Sequence, residues 1–376
     1  MRVLIVTYYF PKLTETFILD RIVKLLDRGI DVKILAIYNS EGVSFYEDPK
    51  PETVEHPQVK AYNLLNKTIY LNSTDPINFK TKVQELSPDV IHFQWSFLAE
   101  QLLEGITIDF PIFVNYHETK LPTSWKQKND LLEYKNVISK ATLHFPISTY
   151  IKKYLINLGC PEKVIKVHPT GTDIHKFRPI KKNLPQTDPE IINIVTNGSF
   201  IEKKGHEYSL HALKMLKDKG FKKFMFHIIG SGRFEYLYKE LVKQYGLKNN
   251  VSFLGRITKE QVIQVYQNSH IFLLPSVAGY DNSEEGLPVA SIEAASCGLP
   301  IVATKHTGTP DLVKQGVNGY MAKERNIFEL YEYIEKLVKN PTIRNSMSTQ
   351  SRKIAKDKFD LDKLVDELIT YYYKVS

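Results

Sequence analysis

A chain of 376 residues is long enough for two domains of ordinary size, and 43% hydrophobic with 24% charged residues is a folded, globular composition rather than a disordered or collagen-like one. Its two cysteines, Cys160 and Cys297, exclude a disulfide framework and a zinc ribbon and fit a reducing compartment. The net charge of +8 is uneven: residues 1–118 carry 11 basic against 16 acidic side chains, residues 119–172 carry 9 against 3, and residues 173–376 carry 30 against 23. The opening MRVLIVTYYFPK is interrupted by Pro11 and Lys12 before it resembles a signal peptide, and it reads as a buried strand at Val3–Val6. No apolar run approaches the ~18 residues of a membrane span, so the expected location is cytoplasmic, with the inner face of a membrane left open.

Thr16–Arg28 places Phe17, Ile22, Leu25 and Leu26 on one side of a helix that stops at Gly29, a residue suited to a left-handed C-terminal cap. Further strands are expected at Val32–Ile37, Val90–Phe93, Ile112–Tyr116, His144–Ile147 and Val164–Val167. The stretch from His168 to Glu190 is rich in Pro, Lys and Asp and reads as a linker. Beyond it come strands at Ile191–Asn197, Lys223–Ile229, Val251–Leu254, Ile271–Leu274 and Ile301–Thr304. They alternate with helices at His206–Lys219, Phe234–Tyr245, Lys259–Asn268 and Pro288–Cys297. Thr258 and Gln261 form a capping-box signature. The last ~40 residues read as helix with a break near Pro341 and an aromatic stripe at Tyr371, Tyr372 and Tyr373.

Short apolar strands alternating with amphipathic helices are the pattern of βαβ units on parallel sheets. The fold class is therefore α/β, with two Rossmann-like, doubly wound domains facing across a cleft. The expected division is an N-terminal domain at 1–170, a linker at 171–190, a second domain at 191–355, and a C-terminal helix at 356–376 returning to the first domain. Open α/β sheets bind ligands at the carboxyl ends of their strands.

The most informative stretch is LLPSVAGYDNSEEGLPVASIEAASCGLPIVAT, from Leu273 to Thr304. A strand ends at Pro275, a polar loop follows, and Gly286-Leu287-Pro288 opens a helix with the proline at its first position. Backbone N–H groups at Gly286, Leu287 and Val289 would form a cradle for an anion or hydroxyl. Glu285 lies beside that cradle. Glu293 lies about 7.5 Å of helix rise beyond Pro288, so the two carboxylates address different parts of one elongated ligand. Among Ile292, Ala294 and Ala295, a carboxylate at Glu293 calls for a ligand more than for solvent.

With EGLPVASIEAASCGLPIV at Glu285–Val302, the chain resembles the retaining family 4 glycosyltransferases of GT-B fold, whose donor-domain signature is Glu-x7-Glu within EGxPxxxxEAxAxGxPV. GSFIEKKG at Gly198–Gly205 resembles that family's phosphate loop, HTGTPDLVKQGVNGYM at His306–Met321 its GG-x-x-E-x-V segment, and HPTGTDIHKF at His168–Phe177 its hinge. YYFPKLTETFI at Tyr8–Ile18 is similar to the subgroup that builds bacterial capsules and exopolysaccharides. The resemblance spans nearly the whole chain. It implies that Glu285 contacts donor-sugar hydroxyls, that Glu293 holds the ribose, and that Lys204 neutralises the diphosphate, with Lys203 or Arg256 compensating for Ser199 where the family often has arginine. His117, at a strand end, would line the site as a neutral or protonated imidazole. The loop of Thr14, Glu15 and Thr16 would face the donor diphosphate, although both threonines are also ordinary helix caps.

The implied partners are a nucleotide-sugar, UDP-linked in preference to GDP-linked, and a glycan or lipid-linked acceptor. No cofactor or metal is implied. The basic stretch Lys120–Lys166, with Trp125, Tyr134, Tyr150 and Tyr154, offers either an anionic-membrane contact or a solvated face. No nucleic-acid motif accompanies the charge. GSGRFE at Gly230–Glu235 lacks the third glycine of a dinucleotide fingerprint, and His206 and His211 stand five apart, so neither signals a cofactor. An epimerase or phosphorylase on the same fold, or a non-catalytic polysaccharide-binding protein, are the competing readings.

Overall fold

The computed structural model of the chain describes residues 1–12, 15–39, 64–117, 134–180, 191–280 and 283–375. The chain divides into two compact units. The first comprises the described residues up to Thr170 together with Leu361–Val375, and the second comprises those of Gly171–Asp360.

In unit 1 a six-stranded sheet is built from β1 (Arg2–Phe10), β2 (Asp31–Asn39), β3 (Thr68–Tyr70), β4 (Val90–Phe93), β5 (Ile112–Tyr116) and β6 (Leu143–Pro146), in the order β3-β2-β1-β4-β5-β6. All of its ladders are parallel. That order reverses direction between β1 and β4, the topological switch point of a doubly wound sheet. Helix α1 (Thr16–Asp27) buries Ile18, Leu19, Ile22, Val23 and Leu25. It ends as its composition dictates, because Gly29 takes φ +78° while its N–H reaches Leu26 and that of Ile30 reaches Leu25. The remaining helices of this unit are α2 (Pro76–Leu86), α3 (Ser96–Leu102), α4 (Lys135–Lys140) and α5 (Thr149–Asn157).

Unit 2 repeats the plan. Its strands β7 (Ile192–Asn197), β8 (Phe224–Ile229), β9 (Val251–Gly255), β10 (Ile271–Leu274), β11 (Ile301–Thr304) and β12 (Gly319–Ala322) run in the order β12-β11-β10-β7-β8-β9, again parallel, with the switch point between β7 and β10. Its helices are α6 (His206–Asp218), α7 (Glu235–Gln244), α8 (Lys259–Gln267), α9 (Val289–Ser296), α10 (Thr309–Leu312), α11 (Ile327–Lys339) and α12 (Pro341–Lys358). The capping box forms at α8: the Thr258 side chain accepts from the Gln261 amide, and Gln261 reciprocates at the Thr258 amide.

The last helix, α13 (Leu361–Val375), belongs to unit 1. Of the terminal tyrosines only Tyr372 is fully buried; its ring stacks on Phe113 at 5.4 Å and its hydroxyl lies 2.6 Å from His92 Nδ1. Asp362 of the same helix pairs with Lys24 of α1 and with Arg28, the residue that caps it.

Four expectations are corrected. Val164–Val167 is no strand: a 3-10 turn at Glu162–Val164 leaves one bridge from Ile165 to His144, since Pro161 and Pro169 confine the segment. Two edge strands, β3 and β12, were hidden by their length of three and four residues. The terminal helical region breaks twice, at Asn340 and again at Phe359–Asp360. Finally, Pro288 is the N-cap of α9 with ψ 126°, not its first helical residue.

Candidate functional site

The predicted donor-site residues of unit 2 converge on the carboxyl ends of β7, β10 and β11, around the switch point. After β7 the chain passes Gly198 and Ser199 and forms a 3-10 turn at Glu202–Lys204 before α6. Gly205 joins turn to helix at φ +62°, and a Cβ there would stand 2.0 Å from the Pro275 carbonyl oxygen, so only glycine lets this loop press against the end of β10. The Lys203 carbonyl accepts from the Val277 amide at 3.0 Å, which fixes the two loops to each other.

That contact delivers both lysines to one carboxylate. Lys204 Nζ lies 2.8 Å from Glu285 Oε2 and Lys203 Nζ lies 3.2 Å from Oε1. The Glu285 side chain is only 11% exposed. Burial alone would raise its pKa, but the two ammonium groups outweigh burial and hold it down at about 2. Glu285 is therefore an anion under all ordinary conditions. Gly286 and Leu287 follow, and Val289 begins α9, so the Val289 amide has no acceptor within its own helix. Glu293, in the third position after Ala290, is half-buried between buried Ile292 and Ala294. It faces Tyr266 and Cys297, whose pKa values it helps to raise, though burial is the larger cause in each. The Tyr266 hydroxyl in turn accepts from Asn197 Nδ2 at the end of β7.

Farther along the sheet edge, Arg256 is exposed just past β9, and its Nε donates to Ser231 Oγ at 2.9 Å. Ser231 belongs to the GSGRFE loop, whose role is packing: a Cβ on Gly230 would stand 2.1 Å from the Gly198 carbonyl oxygen. Ser199 is exposed on the neighbouring loop. His206 turns to the Gly198 carbonyl and His211 to the Tyr245 hydroxyl, so the two rings serve separate contacts.

Unit 1 gathers its predicted residues about Trp95, at the carboxyl end of β4. Thr14 lies outside the described residues. Thr16 is the first residue of α1 and not its cap; Glu15 holds the cap position without a side-chain cap bond. Glu15 instead pairs with Lys12 at 2.5 Å and is hydrogen-bonded by Trp95; burial raises its pKa against both. His117, directly after β5, packs its ring 5.0 Å from both Phe17 and Trp95. Burial, assisted by the Arg21 guanidinium, pushes its pKa down to about 3, which removes the protonated form from consideration at neutral pH. Its Nε2 is buried with no hydrogen-bond partner among the described residues.

Comparison with known proteins bears on the family and the fold. Residues 14–176 match the family described as Glycosyltransferase Family 4, and residues 176–354 match the family described as Glycosyl transferases group 1. The chain carries a family 4 and a group 1 glycosyltransferase domain. It is 28% identical over 351 residues to the putative colanic acid biosynthesis glycosyltransferase WcaL of Escherichia coli (strain K12), covering 84% of this chain and 86% of that protein. The amylovoran biosynthesis glycosyltransferase AmsK of Erwinia amylovora is 26% identical over 363 residues, covering 86% and 87%. Among solved structures, Anabaena Alr3699/HepE in complex with UDP superimposes with a TM-score of 0.78 at 17% identity, over 100% of both chains. A glycosyltransferase from Rickettsia africae gives 0.77 at 15% identity, over 100% of this chain and 98% of that one. The fold is GT-B.

Several residues of this glycosyltransferase brace these loops although the sequence assigned them no individual role. His306 Nε2 accepts from the Glu285 amide at 3.2 Å, while its Nδ1 lies 2.7 Å from Glu324 Oε1. Glu324 Oε2 accepts from the Ala278 amide at 3.0 Å. Glu202 accepts from the Tyr280 amide at 2.9 Å, and Arg325 lies 4.0 Å from Glu202 and 3.8 Å from Glu324. Apart from the neighbours Glu324 and Arg325, these partners stand 18 to 123 positions apart and cannot be paired by spacing alone.

Of the basic stretch at Lys120–Lys166, residues 120–133, including Trp125, lie outside the described residues. In α5, Tyr150 and Ile156 are exposed, and Lys152 pairs with Glu162 at 2.7 Å. No helix among the described residues is long and apolar enough to cross a membrane.

Proposed function

We propose that this glycosyltransferase moves a sugar from a nucleotide-sugar, UDP-linked in preference to GDP-linked, onto a glycan or lipid-linked oligosaccharide with retention of configuration, in the making of a bacterial surface polysaccharide. Supporting the pathway are the colanic acid and amylovoran relatives; supporting UDP are the UDP-bound structural neighbours. The observation that carries the donor assignment is the Lys203–Glu285–Lys204 triplet beside the start of α9.

In this reading Glu285 and the Gly286 and Leu287 amides hold hydroxyls of the donor sugar. Glu293 takes the ribose, and the Val289 amide with Lys203 and Lys204 takes the diphosphate. As the glycosidic bond breaks, negative charge gathers on the departing phosphate oxygen and positive charge on the sugar. Fixed ammonium groups on one side and an ionised carboxylate on the other favour that separation without needing to reorganise. The cations and helix start supply what a metal would otherwise supply. The acceptor hydroxyl attacks the face the phosphate leaves, and a donor phosphate oxygen takes its proton. His117, neutral and with an Nε2 that has no hydrogen-bond partner among the described residues, can orient a hydroxyl or phosphate oxygen but brings no charge. Exposed Tyr150 and Ile156 on α5 support peripheral contact with an anionic bilayer.

Calorimetry and turnover of Glu285→Ala and Glu293→Ala test the assignment. The first variant is expected to lose about 10²-fold or more in kcat with UDP affinity nearly kept, and the second to lose UDP affinity. Wild-type kinetics in both variants would remove the donor site from this loop.

A further inference from the structure

The turn at His306–Gly308, after β11, grips three consecutive peptide groups of the donor loop from one side. The Glu285 amide donates to His306 Nε2, the Glu285 carbonyl accepts from Thr307 Oγ1, and the Gly286 carbonyl accepts from the Gly308 amide at 2.9 Å and from Thr307 Oγ1 at 3.0 Å. The peptides involved are trans, so each N–H points opposite to the C=O of its own plane. Drawing the carbonyls of Glu285 and Gly286 back to the turn therefore drives the N–H groups of Gly286 and Leu287 out on the other side. Those are the amides assigned above to the donor sugar.

His306 can hold this arrangement in one tautomer only. A backbone N–H can only donate, so Nε2 must be the bare nitrogen and Nδ1 must carry the hydrogen, which it gives to Glu324. Glu324 is secured at its other oxygen by the Ala278 amide. One carboxylate thus anchors the ring and the near end of the same loop. Thr307 sits at φ +36°, a left-handed conformation unfavourable for a β-branched residue, and it is held there while both of its carbonyl contacts are made.

We infer that His306, oriented by Glu324 and working with Thr307, is a positioning residue that aims the Gly286 and Leu287 amides at the donor sugar, and so sets how far the enzyme prefers a nucleotide-sugar to the bare nucleotide. This rests on the donor-site reading above. None of these residues touches the nucleotide in that reading, so their loss should separate the two affinities.

The test compares wild type, His306→Phe and His306→Gln by calorimetry with UDP and with UDP-glucose, UDP-galactose and UDP-N-acetylglucosamine, alongside GDP and GDP-mannose. The Phe variant fills the space without an acceptor; the Gln variant returns an oxygen the same number of bonds from Cα as Nε2. Expected for the Phe variant is bare-nucleotide affinity within about twofold of wild type and a loss of about tenfold in affinity for the sugar-bearing form, the size of one or two hydrogen bonds. The Gln variant should recover most of that loss. Should the Phe variant fail to fold, Thr307→Val removes the carbonyl contacts while keeping shape, and the same loss of preference is expected. A Phe or Val variant with the wild-type ratio of affinities, or a Gln variant as impaired as Phe, overturns the inference alone. A wild-type chain that binds none of these nucleotides overturns the donor-site reading and this inference with it.

Discussion

Glu285 shows how a side chain can be buried and still charged. Its carboxyl titrates at about 2 against an ordinary value of 4.5, because two ammonium groups more than offset the desolvation. A group whose folded-state pKa is depressed stabilises the fold above its unfolded pKa, and that stabilisation fades as pH falls towards the folded value. Glu285→Gln should therefore be less stable than wild type at neutral pH, and the gap should narrow between about pH 4.5 and pH 2 in denaturant titrations. A gap unchanged by pH would mean that the lysines are not its source. Glu285 and both lysines were legible in the sequence because a tight motif fixed them. His306 entered only as the first residue of a family-like segment and Glu324 not at all, since the pairing has no signal until the fold sets that carboxylate 2.7 Å from the ring.

At the scale of elements, the loops matter more than the helices they join. Gly205 is the sharpest case, with its left-handed backbone and the Pro275 carbonyl where a side chain would be. Gly205→Ala should cost well over the ~1 kcal/mol of an ordinary glycine replacement, and it should lower donor affinity as well, because the lysine turn must move. A variant with both the melting temperature and the UDP affinity of wild type would refute that coupling. Strands with β-branched, continuously apolar runs, such as Val90–Phe93 and Ile301–Thr304, were read from sequence at their observed bounds. Thr-Ile-Tyr of β3 and Gly-Tyr-Met-Ala of β12 were not, because so short an edge strand is defined by its neighbour more than by its own pattern. Pro288 misled for a related reason: its fixed φ suits the first helical position, but its ψ of 126° makes it the residue before.

Over the whole molecule, the two units share a plan but differ in what they bury. In unit 1 His92, His117, His144 and His168 are all driven below their ordinary pKa, first by burial, with values of about 3 for His117 and His168 and about 4 for His144. In unit 2 the same holds for His206 and His227. A buried neutral histidine binds fewer protons folded than unfolded, so stability falls as pH drops below about 6.5. Acidification should then loosen unit 1 before unit 2, visible as earlier loss of hydrogen-exchange protection in β1, β4 and β5 than in β7 and β10. Simultaneous loss, or loss in unit 2 first, would contradict this. The placement of Tyr372 in the core of unit 1 carries one more consequence. Because Leu361–Val375 follows all of unit 2 in the chain, the sheet of unit 1 lacks the helix that seals it until unit 2 has been made. Unit 2 can finish folding first, and chains truncated before Leu361 should expose the His92–Phe113 surface to chaperones.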